Sequence, residues 1–151
     1  MLKNYGSVAI YCDSSNNLII IPYGESQKLD GLNKEIDVVS KLNHPYDDLE
    51  LEKTLINSLE LCHSKNPDDG ENKRTIIERE LGIRGYAKAT KSLKIINFSW
   101  NKEDGYDVRP FQRIPRRGYV EMEEQVIPLG KKIVPGQLAE ALKKAINVAK
   151  I

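Results

Sequence analysis

Two histidines, two cysteines and three runs of carboxylates are the residues with which this chain could do chemistry. A thiolate–imidazole nucleophile would require Cys62 and His63 to face each other. They are neighbours in a helical pattern, so their side chains point about 100° apart and do not form such a pair. His63 reads instead as a cation near a helix C-terminus, and His44, before Pro45, as a loop residue. The carboxylates fall in Asp47-Asp48, Glu50 and Glu52, in Asp68-Asp69 and Glu71, and in Glu121, Glu123 and Glu124. Glycosidase-type chemistry needs two carboxylates about 5–10 Å apart across a cleft. At a helix start, carboxylates serve capping and the dipole. There is no glycine-rich phosphate loop, no Cys-x-x-Cys and no His-x-x-x-His. The expectation is a protein that acts by binding, with no catalytic residue, cofactor or metal. An enzyme using a carboxylate pair or the Cys62 thiol is a rival.

The other rival is a small nucleic-acid-binding module. Arg109, Arg113, Arg116 and Arg117 interleave with Phe111 and Tyr119, and arginine beside aromatics can hold phosphates and stack bases. The competing reading is a solvated hairpin turn whose arginines pair with nearby carboxylates. Charge does not favour a nucleic-acid coat or an acidic mimic, because 23 Lys+Arg stand against 22 Asp+Glu, a net of +1. The balance hides an alternation: net −5 over 47–80, +6 over 84–118, −3 over 119–130 and +4 over 131–151. Such blocks either meet a partner through complementary patches or compensate one another inside the fold.

These residues need a frame. A length of 151 residues suits one domain with a real core. Nothing near Met1 reads as a signal peptide, and the longest apolar run, 18–23, is far short of a membrane span. Two widely spaced cysteines fit a reducing cytoplasm. Alternation predicts a hairpin over 5–12 and 18–21, with Asp13–Asn17 as its turn and Pro22 ending its pairing or marking an edge. A weaker strand is expected over Ile36–Val39. Asp47 can cap a helix in which Leu51, Leu55 and Leu59 form the buried stripe. A short helix is expected from about Asn72 to Leu81, with Gly82 as its C-cap. Strands follow over 93–100, 106–111 and, unevenly, 120–127. A last helix is expected over 135–149, with Pro135 in its first turn.

The two halves then match. Each reads strand, strand, strand, helix over 5–64 and 92–150, with 65–91 bridging. Leu18–Pro22 stands against Tyr106–Pro110 at an offset of 88, and Leu51, Leu55, Leu59 against Leu138, Leu142, Ile146 at 87. An internal repeat and a coincidence of pattern both explain this. Either way the fold class is α+β, a mostly antiparallel sheet with packed helices.

The run Thr75-Ile76-Ile77-Glu78-Arg79-Glu80-Leu81-Gly82-Ile83-Arg84-Gly85-Tyr86-Ala87-Lys88-Ala89-Thr90-Lys91, with the strand Leu93–Trp100, resembles the middle of immunity proteins from bacterial contact-dependent growth inhibition systems. Tyr106–Pro110 resembles that family's next segment, and Val126-Ile127-Pro128-Leu129 before a helix with Leu138, Ala141 and Leu142 resembles its close. The resemblance implies a cytoplasmic antidote that binds the toxic C-terminal domain delivered by a neighbouring cell. That domain is often a nuclease, frequently one that cuts tRNA. The antidote would block its active site or substrate surface.

An inhibitor of a basic nuclease cleft should present carboxylates around an apolar or aromatic centre. Two patches qualify as toxin-binding candidates. One is Asp47, Asp48, Glu50 and Glu52. The other is Tyr119, Glu121 and Glu123, which share a strand face by alternation.

Overall fold

The computed structural model describes residues 3–69 and 73–151. Tyr5–Cys12 (β1) and Leu18–Ser26 (β2) form the expected hairpin. The Asp13 carboxylate closes its turn, accepting from the backbone N–H groups of Ser15 and Asn17 at 2.9 Å each. Pro22 does not end β2. Its carbonyl points away from β1, accepting from Ile36 N–H at 2.9 Å. An antiparallel residue's N–H and C=O share a side, so the donor that proline lacks is missing only from that outer edge.

That edge is divided between two short strands, Leu32–Glu35 (β3) on the far end of β2 and Ser40–Leu42 (β4) on its start. The strand expected over Ile36–Val39 is therefore the link between them. The apolar signal there reports burial of Ile36, which is fully enclosed, not a ladder position.

Asp48–Glu60 (α1) begins where the capping residue predicts, with the Asp47 side chain accepting from Glu50 N–H at 2.7 Å. Its buried stripe is Leu51, Leu55 and Leu59. Ile76–Leu81 (α2) starts at a Thr75–Glu78 capping box and ends on Gly82 at φ 66°. The helix expected from about Asn72, a residue outside the described ones, begins only at Ile76, because residues 73–75 are not helical and Thr75 is its cap. Tyr86–Ala89 (α3) is one further turn.

Lys94–Asn101 (β5) and Gly105–Ile114 (β6) form a second hairpin. The uneven strand expected over 120–127 is two strands, Gly118–Glu121 (β7) and Ile127–Gly130 (β8), with a 3-10 turn at Glu123–Gln125 between them. Both pair with β6. Gln137–Val148 (α4) begins after Pro135: Gly136, at φ 90°, is its N-cap.

Each half thus reads four strands and a helix, not three. The hairpin registers repeat, while the outer β2–β3 and β6–β7 pairings differ by two residues. Val8 pairs with Pro22 and Ile96 with Pro110; Leu18 pairs with Leu42 and Tyr106 with Gly130. In the central β1–β5 ladder Ala9 pairs with Asn97, its own counterpart 88 residues on. In the helix layer Glu52 meets Ala139, its counterpart at 87. One pseudo-twofold axis therefore passes through both contacts, normal to a curled antiparallel sheet of order β3-β2-β1-β5-β6-β7.

The α1–α4 layer covers one sheet face. Phe98, Ile10, Ile20, Ile96, Leu55 and Leu142 fill that core, and Phe98 stacks on Tyr106 at 5.9 Å. On the other face α2 packs Ile76 and Ile77 against Ala9, Tyr11, Ile21, Leu93 and Ile95. Along 93–100 the side chains alternate, Ile96, Phe98 and Trp100 facing the α1–α4 layer and Leu93 and Ile95 the α2 side.

Candidate functional site

At the start of α1, Asp47, Asp48 and Glu50 are exposed, and Leu49 between them is 75% exposed. Asp48 accepts an ion pair from Lys143 of α4 at 2.6 Å. Glu52 is different. It is 9% exposed, and its two carboxylate oxygens accept from Gly136 N–H and Ala139 N–H at 2.9 Å each. These amides open α4 and have no partner within the helix. Expected on the docking face, Glu52 is instead the cap of another helix, because the pseudo-twofold axis brings α1 against the α4 N-terminus. Its capping bonds also explain why α4 starts after Pro135.

The second patch is taken apart. Tyr119 packs on the core beneath α2, and its hydroxyl, donating, lies 2.7 Å from both Thr90 O and Leu93 O. Glu121 accepts from Arg109 at 3.0 Å. Glu123, expected on the same strand face, sits in the 3-10 turn and is exposed.

The basic hairpin is likewise committed inward. Arg109 donates twice to Asp107, at 2.8 and 3.0 Å, besides its bond to Glu121, and these bonds hold it cationic more strongly than usual. Arg113 donates to Ala87 O and lies 5.8 Å over the Tyr119 ring. Arg116 and Arg117 remain exposed at the turn. The solvated-turn reading, with arginines paired to local carboxylates, describes this segment for Arg109.

The two thiols are interior. Cys62 Sγ donates to Ser7 O at 3.1 Å, and burial raises its thiol. Cys12 is pushed up to about 11, chiefly by burial. His63, in left-handed backbone past the α1 C-terminus, shares a hydrogen bond at 3.0 Å between Nε2 and Tyr5 O, and its ring meets the Tyr5 ring edge-on. Its imidazole docks α1 onto β1 as well as following a helix end.

A site the sequence did not mark lies at the β3 edge. A groove of about 1150 Å³ is lined by the β2–β3 hairpin and its link, by residues 65–69 and by residues 73–79. Lys28, Lys34, Lys65, Lys73, Arg74 and Arg79 are among its lining residues, and Lys65 Nζ donates to Asp37 O at 3.1 Å. Of its acids, Asp68 accepts from Ser26 Oγ at 2.6 Å and from Lys28 N–H at 3.2 Å, and is held below the usual carboxylate range chiefly by the Ser26 bond. Asp37 pairs with Arg79 at 3.5 Å. Glu35 is largely enclosed. Tyr11 Oη donates to it at 2.6 Å and lies 3.3 Å from Tyr86 Oη. Burial pushes Glu35 up to about 7, outweighing the Tyr11 bond, which acts the other way. Tyr86 rises to about 12 by burial. No sequence signal joined these residues, since Tyr11, Glu35 and Tyr86 come from three separate elements.

The fold defined by these elements is an α+β one, a curled antiparallel sheet with two helices on one face and two shorter ones on the other. No family model matches the chain, and no curated protein matches it. Among solved structures it is similar to a protein of unknown function from Neisseria meningitidis, with a TM-score of 0.70 at 14% identity over 99% of each chain. That likeness is one of fold. No helix among the described residues is long and apolar enough to cross a membrane.

Proposed function

We propose that this protein is a cytoplasmic immunity protein of the contact-dependent growth inhibition type. It binds the toxin domain delivered by a neighbouring cell, a nuclease such as a tRNase, and neutralises it by covering its active site or substrate surface. The resemblance carried by 75–100, 106–110 and 126–142 supports the reading. The structural observation behind it is Leu49, 75% exposed and flanked by Asp47, Asp48 and Glu50. A nuclease cleft attracts phosphates and is basic. An apolar anchor within a carboxylate rim is its complement, the anchor giving affinity and the rim giving orientation and on-rate.

Glu52 supports this surface from behind by fixing α4, whose Lys143 holds Asp48. Asp47 has a double duty as helix cap, so it is left intact in the test. Asp48→Lys with Glu50→Lys, and separately Leu49→Asp, should each weaken binding of a co-expressed cognate toxin domain by a hundredfold or more. The three side chains are exposed, so both variants should still unfold cooperatively, the double lysine variant with a lowered midpoint because it repels Lys143 and the α1 N-terminus. Losses below tenfold in both variants, in a protein that remains folded, overturn this surface as the docking site. Failure of the intact protein to protect cells from the toxin encoded beside its gene overturns the function.

A further inference from the structure

We propose that the outer edge of β7 is a self-association surface, where a second copy of this chain adds its own β7 antiparallel about a twofold axis at Val120. The inference does not rest on the toxin reading.

Backbone direction opens this edge. On β6, Arg113 N–H donates to Lys150 O at 3.1 Å, and Phe111 O accepts from Lys150 N–H at 3.0 Å. Both residues turn their backbone groups away from β7, so Gln112 between them turns its own toward it. Val120, opposite Gln112, faces β6 in return, as does Gly118 opposite Ile114. Tyr119 and Glu121 then direct their N–H and C=O groups outward, at the last strand of the sheet order. No hydrogen bond among the described residues takes up these backbone groups. An edge left in this state is a template for another strand.

Charge selects the strand. Arg116 and Arg117 are exposed just before β7, and Glu123 and Glu124 are exposed just after it. None of these four side chains has a hydrogen bond or ion pair among the described residues. The edge therefore runs from cationic to anionic, a pattern that complements itself when reversed. The antiparallel register that pairs both outward residues is centred on Val120. Tyr119 then meets Glu121 of the second copy and exchanges both backbone bonds with it, while the two valines face each other as the close, non-hydrogen-bonded pair. In that register the arginine pair of each copy comes to the same end as the glutamate pair of the other. A parallel addition sets arginine beside arginine. The contact is isologous and closes at two copies.

The opposite edge refuses the same contact. Ile36 N–H donates to Pro22 O, so Lys34 and Leu32 face β2 and the outward residues of β3 are Asn33 and Glu35. The antiparallel register that pairs both of those is centred on Lys34. It sets two ammonium groups directly opposite each other, a guard against edge pairing. β7 carries no such guard. Its overlap is four residues long, so the dimer is a weak, transient one.

Sedimentation equilibrium of the full-length protein from micromolar to millimolar concentration tests this. The wild type should show a reversible monomer–dimer equilibrium that weakens as salt rises. Arg116→Glu with Arg117→Glu, and separately Glu123→Lys with Glu124→Lys, should each weaken it about tenfold or more, because like charges then meet at both ends. An equimolar mixture of the two variants should form a heterodimer, since both ends again join opposite charges. A misfolded variant is not rescued in this way. Amide hydrogen exchange locates the contact: Tyr119 and Glu121 should slow in the dimer, while Asn33 and Glu35 should not change. A wild type that stays monomeric at millimolar concentration overturns the proposal. So does a dimer that neither double variant weakens, or one that mixing fails to restore. Slowing of the Tyr119 and Glu121 amides only when a toxin domain is added overturns it in favour of a strand from that partner.

Discussion

Replacing Glu52 with alanine should destabilise the fold without touching any exposed surface. The carboxylate accepts two backbone bonds at 2.9 Å, from Gly136 and Ala139, at the opening turn of α4. Each hydrogen bond to a charged group contributes roughly 1.5–3 kcal/mol, and an orphaned buried donor costs a comparable amount. Allowing partial rehydration of the freed amides, the loss is about 4 kcal/mol. That is a large share of the 5–15 kcal/mol typical of a domain. For a chain of this size it lowers Tm by roughly 8–16 °C. Glu52→Gln retains one carbonyl acceptor but no charge, so about 2 kcal/mol is expected. Urea unfolding followed by far-ultraviolet circular dichroism gives the numbers, with Glu50→Ala as the exposed control expected within about 0.5 kcal/mol. A Glu52→Ala loss under about 1 kcal/mol at an unchanged m-value refutes the capping argument. Equal losses for Glu52→Ala and Glu50→Ala refute it too.

Arg109→Ala leaves Asp107, 8% exposed, without its bidentate partner, and should cost about 2–3 kcal/mol in the same unfolding assay; Glu121→Ala should cost less than half of that, and the reverse order refutes the assignment. Both thiols are buried with raised pKa, so an aromatic disulfide reagent at pH 8 should label the native protein far more slowly than the unfolded one; complete native labelling within seconds contradicts this. Glu35 binds its proton more tightly in the folded chain, at about 7 against 4.5, so its stabilising contribution is complete below about 4.5 and lost as pH rises through 7, up to about 3 kcal/mol. The stability of the wild type relative to Glu35→Gln should therefore decline between pH 5 and pH 8, and a constant difference refutes the burial argument.

The sequence was most readable where one interaction decides an element. Leu51, Leu55 and Leu59 have one face to bury, and Asp47 has four amides to cap, so the start and stripe of α1 are legible to the residue; its end is not, since Cys62 and His63, read as helical neighbours, lie beyond Glu60, with His63 in left-handed backbone. Alternation on β5 assigned both of its faces. It failed on Ile36–Val39 and 120–127, where apolar side chains serve the core while the ladder bonds lie on either side. No local pattern distinguishes those two uses. The docking candidates were legible as charge and opaque as geometry. Glu50 and Glu52 differ by two residues and look alike in the chain, yet 100° per residue turns one to solvent and the other to the N-terminus of a helix 84 residues away. Glu35 was invisible because its environment is assembled by β1, β2 and α3 together.

The axis through Ala9/Asn97 and Glu52/Ala139 has a kinetic meaning. The halves meet as two subunits of a symmetric dimer would, along one antiparallel ladder and one helix pair. Here the encounter is intramolecular, and the chain between α1 and β5 is a tether. Because the two halves are joined in one chain, they associate at a rate that dilution does not change. Each hairpin closes across a handful of residues, whereas the central ladder closes across 88 at its midpoint, and loop-closure entropy places that step last.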